Sequence, residues 1–290
     1  MVVEQHSLDT PAVRFRYAVA GDGPPVVLVP GSGGWKLTFH RVIPALSDRH
    51  RVFAVDPPGQ GGTRVVDPAF GYDADSVARS LGDFVDAVGL PTAAFVGHSW
   101  GGGFALRLAQ LQPERVSALA LLAPGGLDVA DVWEFRLVRR PVIGEVATRY
   151  AATASMRHML LKSFVHPDRM PGKSLLRETA QQMRSGPGAA ALRRDLLRVE
   201  RAVRWAETER DLDRVRCPTL ILWGERDRYF PVRLLSRFTG RLRDVEAHTL
   251  ANCGHSLHDD CPEQVYPLLT RFLTAYVSAP APNREEEHDG

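Results

Sequence analysis

The chain has 290 residues, of which 44% are hydrophobic, and a net charge of +2; these values are typical of a globular protein with one large core and an insertion. The balanced charge gives no basis for nucleic-acid binding, and no stretch approaches the roughly 20 apolar residues of a membrane span. The start has no signal-peptide core, and the three cysteines form no CxxC pair, which argues against a disulfide framework. We therefore predict a cytoplasmic protein with a small-molecule substrate and no nucleic-acid or membrane partner, of undetermined oligomeric state.

Short apolar runs alternate with amphipathic stretches along most of the chain. The early run Val13–Ala20 alternates in polarity, as a half-buried strand does. The later apolar runs are continuous, which suits strands buried on both faces of a parallel sheet; they are Val26–Val29, Val52–Val55, Ala93–Val96, Ala118–Leu122, Leu220–Leu222 and a last strand at Ala247–Leu250. The helical stretches between them are Val42–Ser47, Ala74–Val88, Gly103–Gln112 and Val265–Val277. This alternation predicts an α/β fold with a mostly parallel, doubly wound sheet.

The alternation of strand-like and helix-like stretches stops between about Leu127 and Asp213, where no strand pattern is found. Helix-like stretches interrupted by prolines lie there instead, at Trp133–Arg139, Ala147–Phe164 and Leu175–Met183. We predict that 127–213 is a helical cap inserted into an α/β core formed by 1–126 and 214–278. The polar, proline-bearing segment 279–290 is predicted to be a disordered tail.

The cap segment has an excess of basic residues. Between Leu127 and Arg216 there are 18 arginines and lysines against 12 aspartates and glutamates. Two interpretations stay open: a solvated helical surface, or the attraction of an anionic substrate.

One motif, Gly97-His98-Ser99-Trp100-Gly101, lies between a predicted strand and a predicted helix. The pattern G-x-S-x-G is typical of a nucleophile elbow, a strained turn that lifts a serine hydroxyl clear of its own helix. Glycines two residues away on either side let the strand and the helix approach closely. The motif therefore predicts Ser99 as a nucleophile.

A serine nucleophile needs a base, and two later positions supply a pair. Asp227 follows the run Leu220–Leu222, and His255 follows the last predicted strand. Because the carboxyl ends of parallel strands share one edge of a sheet, we expect Ser99, Asp227 and His255 to meet there. Their order along the chain is the one expected behind this elbow. His255 would accept the serine proton, and Asp227 would orient the imidazole.

The same chemistry requires an oxyanion hole, whose backbone N–H donors can each be worth on the order of 3 kcal/mol. The N–H of Trp100, directly after the nucleophile, is the first predicted donor. The second is the N–H of Ser32, in the glycine-rich loop that follows Val26–Val29.

These motifs together resemble those of the α/β-hydrolase superfamily, and the resemblance covers most of the chain. In chain order they are VVLVPGSGGW, RVFAVDPPGQGGT, FVGHSWGG, LRLAQLQPERVSALALLAPGG, TLILWGERDRYFP and LANCGHSLHDDCPEQV. The resemblance implies an α/β-hydrolase fold with an inserted cap. Two positions depart from the family's usual pattern, since Pro30 and Gln60 stand where histidine is frequent, but neither belongs to the predicted triad.

Other polar residues compete for these roles. The competitors near the same strand ends are Glu225 for Asp227, and His248 and His258 for His255. His98, beside the nucleophile, is interpreted as structural. Asp56, at the end of another strand, is interpreted as pinning the turn that follows it.

We predict no metal and no cofactor. His255, His258, Asp259 and Asp260 together look like a metal cluster, but they straddle a loop and a helix, where the aspartates are interpreted as charges at a helix start. The glycines at 31–34 and 59–62 do not complete G-x-G-x-x-G. A set of apolar cap residues either lines a substrate pocket or packs the cap onto the core: Trp133, Phe135, Met156, Met159 and Phe164.

The predicted function is that of a serine hydrolase, which cleaves an ester, a thioester or a related carbonyl compound through an acyl-enzyme. Carbon–carbon bond hydrolysis and acyl transfer use the same triad and stay open as alternatives. A third alternative is a non-catalytic ligand-binding protein on this fold. Some members of the superfamily dehalogenate or open epoxides with an aspartate at the elbow, and Ser99 disfavours both reactions here.

Overall fold

One mixed sheet organises the fold. The computed structural model describes residues 3–34, 36–150, 152–186 and 188–277, so the tail predicted at 279–290 lies outside the described residues. The strands are β1 (Glu4–Asp9), β2 (Val13–Ala20), β3 (Pro25–Val29), β4 (Arg51–Val55), β5 (Arg64–Val65), β6 (Ala93–His98), β7 (Val116–Leu122), β8 (Thr219–Gly224) and β9 (Val245–Leu250). Their order is β1-β2-β4-β3-β6-β7-β8-β9, with β5 beside β2.

The sheet is antiparallel around β2 and parallel from β4 to β9. Strand β2 pairs antiparallel with β1, β4 and β5, and the remaining neighbours are parallel. Strands β3, β6 and β8 are buried at every position, which explains why they read as continuous apolar runs. The predicted doubly wound, mostly parallel sheet is confirmed.

Helices cover both faces of the sheet. In chain order they are α1 (Val42–Ser47), α2 (Ala74–Ala87), α3 (Trp100–Leu111), α4 (Trp133–Val138), α5 (Pro141–Arg149), α6 (Ala152–Ser163), α7 (Lys173–Ser185), α8 (Ala189–Ala202), α9 (Ala206–Arg210), α10 (Leu235–Thr239), α11 (Leu257–Asp260) and α12 (Pro262–Tyr276). Single 3-10 turns lie at Lys36–Phe39, Pro113–Arg115, Pro167–Arg169, Leu212–Arg214 and Val232–Leu234. Helices α2 and α3 contribute to one hydrophobic cluster, and α1 and α12 contribute to the cluster on the opposite face.

The stretch between β7 and β8 contains helices α4 to α9 and no strand in its described part. The single helix predicted at Ala147–Phe164 is in fact two helices, α5 and α6, on either side of position 151. Helix α8 was not among the predicted stretches. Its apolar residues are interrupted by four arginines, which weakens the apolar signal, although eight of its side chains are buried.

Two strands of the sheet were also missed. Strand β1 has the polar sequence EQHSLD, and it pairs with β2 at the edge of the sheet, where its residues are exposed or half-buried. Strand β5 is only two residues long. Neither offers the buried apolar run by which the other strands were identified.

Asp56 pins the turn after β4, as predicted. Its Oδ2 accepts a hydrogen bond from the Gly62 backbone N–H at 2.8 Å, and its carbonyl accepts one from the Thr63 hydroxyl at 2.6 Å. Gly61 has φ +52° in this turn, and a Cβ there would lie 2.1 Å from the Asp56 carboxylate. The glycine therefore makes room for the carboxylate that holds the turn.

Candidate active site

Ser99 lies in the tight turn between β6 and α3. Its φ of +52° and ψ of −126° are unusual for a residue with a side chain, and such strain is common at functional sites. A Cβ on Gly97 would lie 2.5 Å from the Gly102 Cα, and one on Gly101 would lie 2.1 Å from the Val29 carbonyl oxygen. The glycines of the motif thus allow β6, α3 and the end of β3 to meet beside the serine.

Asp227 and His255 are brought together by the loops after β8 and β9. The Nδ1 of His255 lies 2.7 Å from Oδ2 of Asp227. The other carboxylate oxygen, Oδ1, accepts hydrogen bonds from the backbone N–H groups of Tyr229 at 2.7 Å and Phe230 at 2.9 Å. These two bonds fix the carboxylate, so that one oxygen stays directed at the imidazole.

Ser99 and His255 line the same cavity of about 230 Å³. Both are almost fully buried, with 6% of their surface exposed. Within the described residues no hydrogen bond joins the Ser99 hydroxyl to the imidazole. Nucleophile–base contacts are often looser in the absence of substrate than in the working complex. The structure thus brings all three predicted residues to one end of the sheet and forms one of the two contacts of a triad.

The imidazole of His255 is enclosed by other rings. The His98 Nε2 donates to the His255 carbonyl at 3.0 Å, and the rings of Tyr229 and Phe230 lie 5.0 Å and 5.4 Å from the His255 ring. Burial holds the pKa of His98 well below its usual range, so His98 is a neutral donor at physiological pH. The structural interpretation of His98 is therefore supported: it anchors the backbone of the loop that carries His255.

The competing residues lie in other environments. Glu225 is exposed and accepts a hydrogen bond from the Asn252 backbone N–H at 3.1 Å. His248 pairs with Glu246 on the same strand. His258 is fully buried, and this burial lowers its pKa to about 3. None of these competitors contacts the Asp227–His255 pair through a hydrogen bond in the described part of the chain.

The two predicted oxyanion donors flank the nucleophile. Trp100 is the first residue of α3, so its N–H has no acceptor within the helix. Ser32 follows Gly31, where a Cβ would lie 2.7 Å from the Ser99 Cβ. The glycine-rich loop therefore passes directly beside the nucleophile.

Glu200, a residue that the sequence did not single out, contacts this loop from the helices between β7 and β8. It lies on α8, is 2% exposed, and its Oε1 accepts a hydrogen bond from the Ser32 hydroxyl. Burial raises its pKa to about 7, an effect that the bond from Ser32 and the nearby charge of Arg139 oppose. Only the tertiary contact between α8 and the loop after β3 distinguishes Glu200 from the other acidic residues of the cap.

Asp260 joins the histidine loop to the segment that follows α6. Its buried carboxylate accepts hydrogen bonds from the backbone N–H groups of Gly254 at 2.7 Å, Val165 at 3.0 Å and His166 at 2.9 Å. The interpretation of Asp260 as a charge at a helix start is therefore incomplete, because its oxygens also bond to the nearby Gly254 and to the distant segment at Val165 and His166. Gly254 directly precedes His255, so this contact also restrains the histidine.

A possible metal cluster differs from the one weighed in the sequence. Among the described residues, His166, Asp260 and Cys261 bring ligand atoms within 4.8 Å of one another. Both oxygens of Asp260 already accept backbone hydrogen bonds, and the His166 Nδ1 lies 3.1 Å from one of them. These contacts account for the cluster as hydrogen bonding. The three cysteines are free thiols.

Most of the apolar cap residues considered for a substrate pocket do line the cavity. They are Phe135, Met156, Met159 and Phe164. Trp133 does not line it and is 51% exposed. The cavity thus lies between the carboxyl ends of the strands and the helices that follow β7.

Comparison with known proteins finds a matching family and similar enzymes. Residues 24–262 match the family model described as alpha/beta hydrolase fold. The chain is 28% identical to the 2-hydroxy-6-oxo-6-phenylhexa-2,4-dienoate hydrolase of Comamonas testosteroni, over 89% of this chain and 91% of that protein. It is 25% identical to the cis-3-alkyl-4-alkyloxetan-2-one decarboxylase of Shewanella oneidensis, over 93% and 88%.

The fold also matches solved structures. The meta-cleavage product hydrolase of Pseudomonas fluorescens IP01 superposes with a TM-score of 0.78 at 24% identity, and the match covers 93% of this chain and 97% of that one. Within the part of the chain that the structure describes, no helix has the length and apolar character needed to cross a membrane.

Proposed function

Because the chain belongs to the α/β-hydrolase family and is an enzyme of that family, we propose that Ser99, His255 and Asp227 are the catalytic triad of this serine hydrolase. The observation that carries the proposal is the 2.7 Å contact between Asp227 and His255, since His255 lines the same cavity as the strained Ser99. A loop serine, histidine and aspartate without a shared role would have no reason to converge in this way.

In the proposed mechanism, His255 removes the proton from the Ser99 hydroxyl as the oxygen attacks the substrate carbonyl. Asp227 keeps the imidazole proton on Nδ1 and stabilises the imidazolium that forms. The backbone N–H groups of Trp100 and Ser32 bind the developing oxyanion. His255 then protonates the leaving group, and a water molecule activated by His255 releases the acyl group from Ser99.

The proposed substrate is an ester, a thioester or a related carbonyl compound that binds between the core and residues 127–213, which we propose to be the cap. The cavity walls support this placement, because helices α4 to α8 contribute most of the apolar lining. A cytoplasmic location remains part of the proposal.

Carbon–carbon bond hydrolysis is a second candidate. It is favoured by the similarity to the relative from Comamonas testosteroni, which is named for the hydrolysis of a phenylhexadienoate. Acyl transfer would use the same residues, with an acceptor other than water. A non-catalytic ligand-binding role is disfavoured because no triad residue is missing.

Labelling with an alkyl fluorophosphonate tests the proposed nucleophile. We expect stoichiometric modification at Ser99, detected by mass spectrometry of peptides, and none in Ser99→Ala. Ser155→Ala is a matched control, since Ser155 also lines the cavity and its replacement should leave the labelling unchanged.

Turnover is then measured on p-nitrophenyl esters of increasing chain length, lactones and acyl-CoA thioesters. Ser99→Ala should lose essentially all activity on any compound that the unmodified protein cleaves. If the folded protein ignores every probe small enough for the cavity, or if Ser99→Ala keeps full activity, the proposed function is wrong.

A further inference from the structure

The cavity wall formed by helices α4 to α8 is mostly apolar, and three of its hydroxyl groups are already hydrogen-bonded within their own helices. The apolar part of the wall comes from Met156, Met159, Leu160, Phe164, Leu175, Leu176, Met183 and Leu196. The hydroxyls of Thr148, Ser163 and Thr179 donate to the carbonyl oxygens of Gly144, Met159 and Leu175 in their own helices, at 2.8 to 2.9 Å. These three side chains therefore offer no free donor to a ligand on this side.

The charged groups on the wall are acidic. Among the described residues that line the cavity there is no lysine or arginine, while Glu134, Glu200 and Asp259 are present. Two basic residues between β7 and β8 have partners outside the cavity: Arg193 donates to backbone carbonyls of α7, and Arg139 pairs with Asp131.

Glu200 differs from the other two carboxylates. Glu134 is neutralised by the Lys162 Nζ at 2.7 Å, and Asp259 lies 3.9 Å from the Arg41 guanidinium. Among the side chains that the structure describes, none forms an ion pair with Glu200, because the nearby Arg139 pairs with Asp131. The buried Oε2 of Glu200, like one oxygen of Glu134 and of Asp259, has no hydrogen-bond partner. Its hydrogen bond from Ser32 places this uncompensated carboxyl next to the proposed oxyanion loop.

We propose that the site takes substrates with an uncharged, apolar acyl group and rejects those with a carboxylate, and that Glu200 sets this charge preference. The inference rests on the proposed function and names the substrate class of the same site. A ligand carboxylate would lose its hydration without gaining a cation. Above the Glu200 pKa of about 7, where this side chain is ionised, Glu200 would also repel the ligand carboxylate in a cavity of low dielectric. The basic cap surface thus does not indicate an anionic substrate, and a carboxylate-bearing dienoate is the poorer candidate.

Two esters that differ by one terminal charge test the preference: p-nitrophenyl hexanoate and mono-p-nitrophenyl adipate. At pH 8 we expect kcat/KM to favour the hexanoate by about a hundredfold or more. Glu200→Gln keeps the shape of the side chain and removes its charge, and it should reduce this ratio about tenfold. Glu145→Gln, an exposed carboxyl on α5, is the matched control and should keep the ratio of the unmodified enzyme.

Binding of the same esters to Ser99→Ala protein, with and without Glu200→Gln, is measured by calorimetry. This binding measurement does not need turnover. If Ser99→Ala protein binds the hexanoate better but the unmodified protein hydrolyses neither ester, the proposed function is rejected and the charge inference is retained. Equal binding or turnover of both esters would overturn the inference. So would a Glu200→Gln variant that slows both esters equally, because Glu200 would then only support the loop of Ser32.

Discussion

At the scale of single residues, the polar groups of the site are held by specific hydrogen bonds. Asp227 uses one oxygen for two backbone N–H groups and leaves the other for the imidazole. The backbone N–H groups and the imidazole therefore do not compete for the same carboxylate oxygen, and the histidine ring is held in one orientation. His98 adds a second constraint by donating to the backbone of the same histidine.

Asp227→Asn should lower kcat by about three to four orders of magnitude. The amide oxygen can still accept the two backbone bonds, so the NH₂ group faces Nδ1 of His255 and favours the tautomer with its proton on Nε2, which cannot serve as a base. The measurement is steady-state hydrolysis of a p-nitrophenyl ester. Glu225→Gln, on the same loop and exposed, is the control and should behave like the unmodified enzyme; an equal loss in both variants would assign the effect to the loop.

At the scale of elements, the site depends on contacts between loops as much as on the sheet. Strands β6, β8 and β9, with β7 between the first two, end at the same edge of the sheet, and the loops after them supply Ser99, Asp227 and His255. Asp260 then ties the histidine loop to the segment after α6, and the Ser256 backbone N–H donates to the Ser163 carbonyl at 3.2 Å. The segment after α6, in the proposed cap, is thus attached directly to the loop that carries the proposed base.

Asp260→Asn should destabilise the protein by about 2 to 4 kcal/mol, because at least one buried backbone N–H would face an amide NH₂ and lose its acceptor. Urea unfolding monitored by circular dichroism measures this loss. We also expect a lower kcat/KM at temperatures where the variant is fully folded, since the backbone beside His255 is less restrained. Asp168→Asn, an exposed aspartate in the same segment, should change neither quantity; unfolding free energies equal to that of the unmodified protein in both variants would contradict this role for Asp260.

At the scale of the whole molecule, the cavity with Ser99 and His255 lies between the end of the sheet and the helices that follow β7, and a buried acid joins these two parts. Burial raises the pKa of Glu200 from 4.5 to about 7, so the folded protein holds this proton at pH values where the unfolded chain has released it. The free energy of unfolding should therefore fall as the pH rises from about 4.5 to 7. The contribution of Glu200 to that fall is about 3 kcal/mol.

Glu200→Gln tests whether Glu200 causes this fall in the free energy of unfolding, because a glutamine does not titrate. Compared with the unmodified protein, the variant should gain about 3 kcal/mol in relative stability between pH 5 and pH 8. Urea unfolding at several pH values gives the difference, and Glu145→Gln should follow the unmodified protein throughout. Parallel stability curves for Glu200→Gln and the unmodified protein would show that Glu200 ionises normally in the folded state.

The sequence by itself determined the α/β class, the positions of the buried strands to within a few residues, and the three residues of the proposed triad. It could do so because continuous apolar runs and the G-x-S-x-G turn are local signals that depend only on residues adjacent in the sequence. The edge strand β1, the helix α8, the bond between Glu200 and Ser32 and the contacts of Asp260 were decided only by the tertiary structure. Each of them depends on partners far away in the chain, and the physical effect that makes them matter, the removal of polar groups from water, does not exist until the chain has folded.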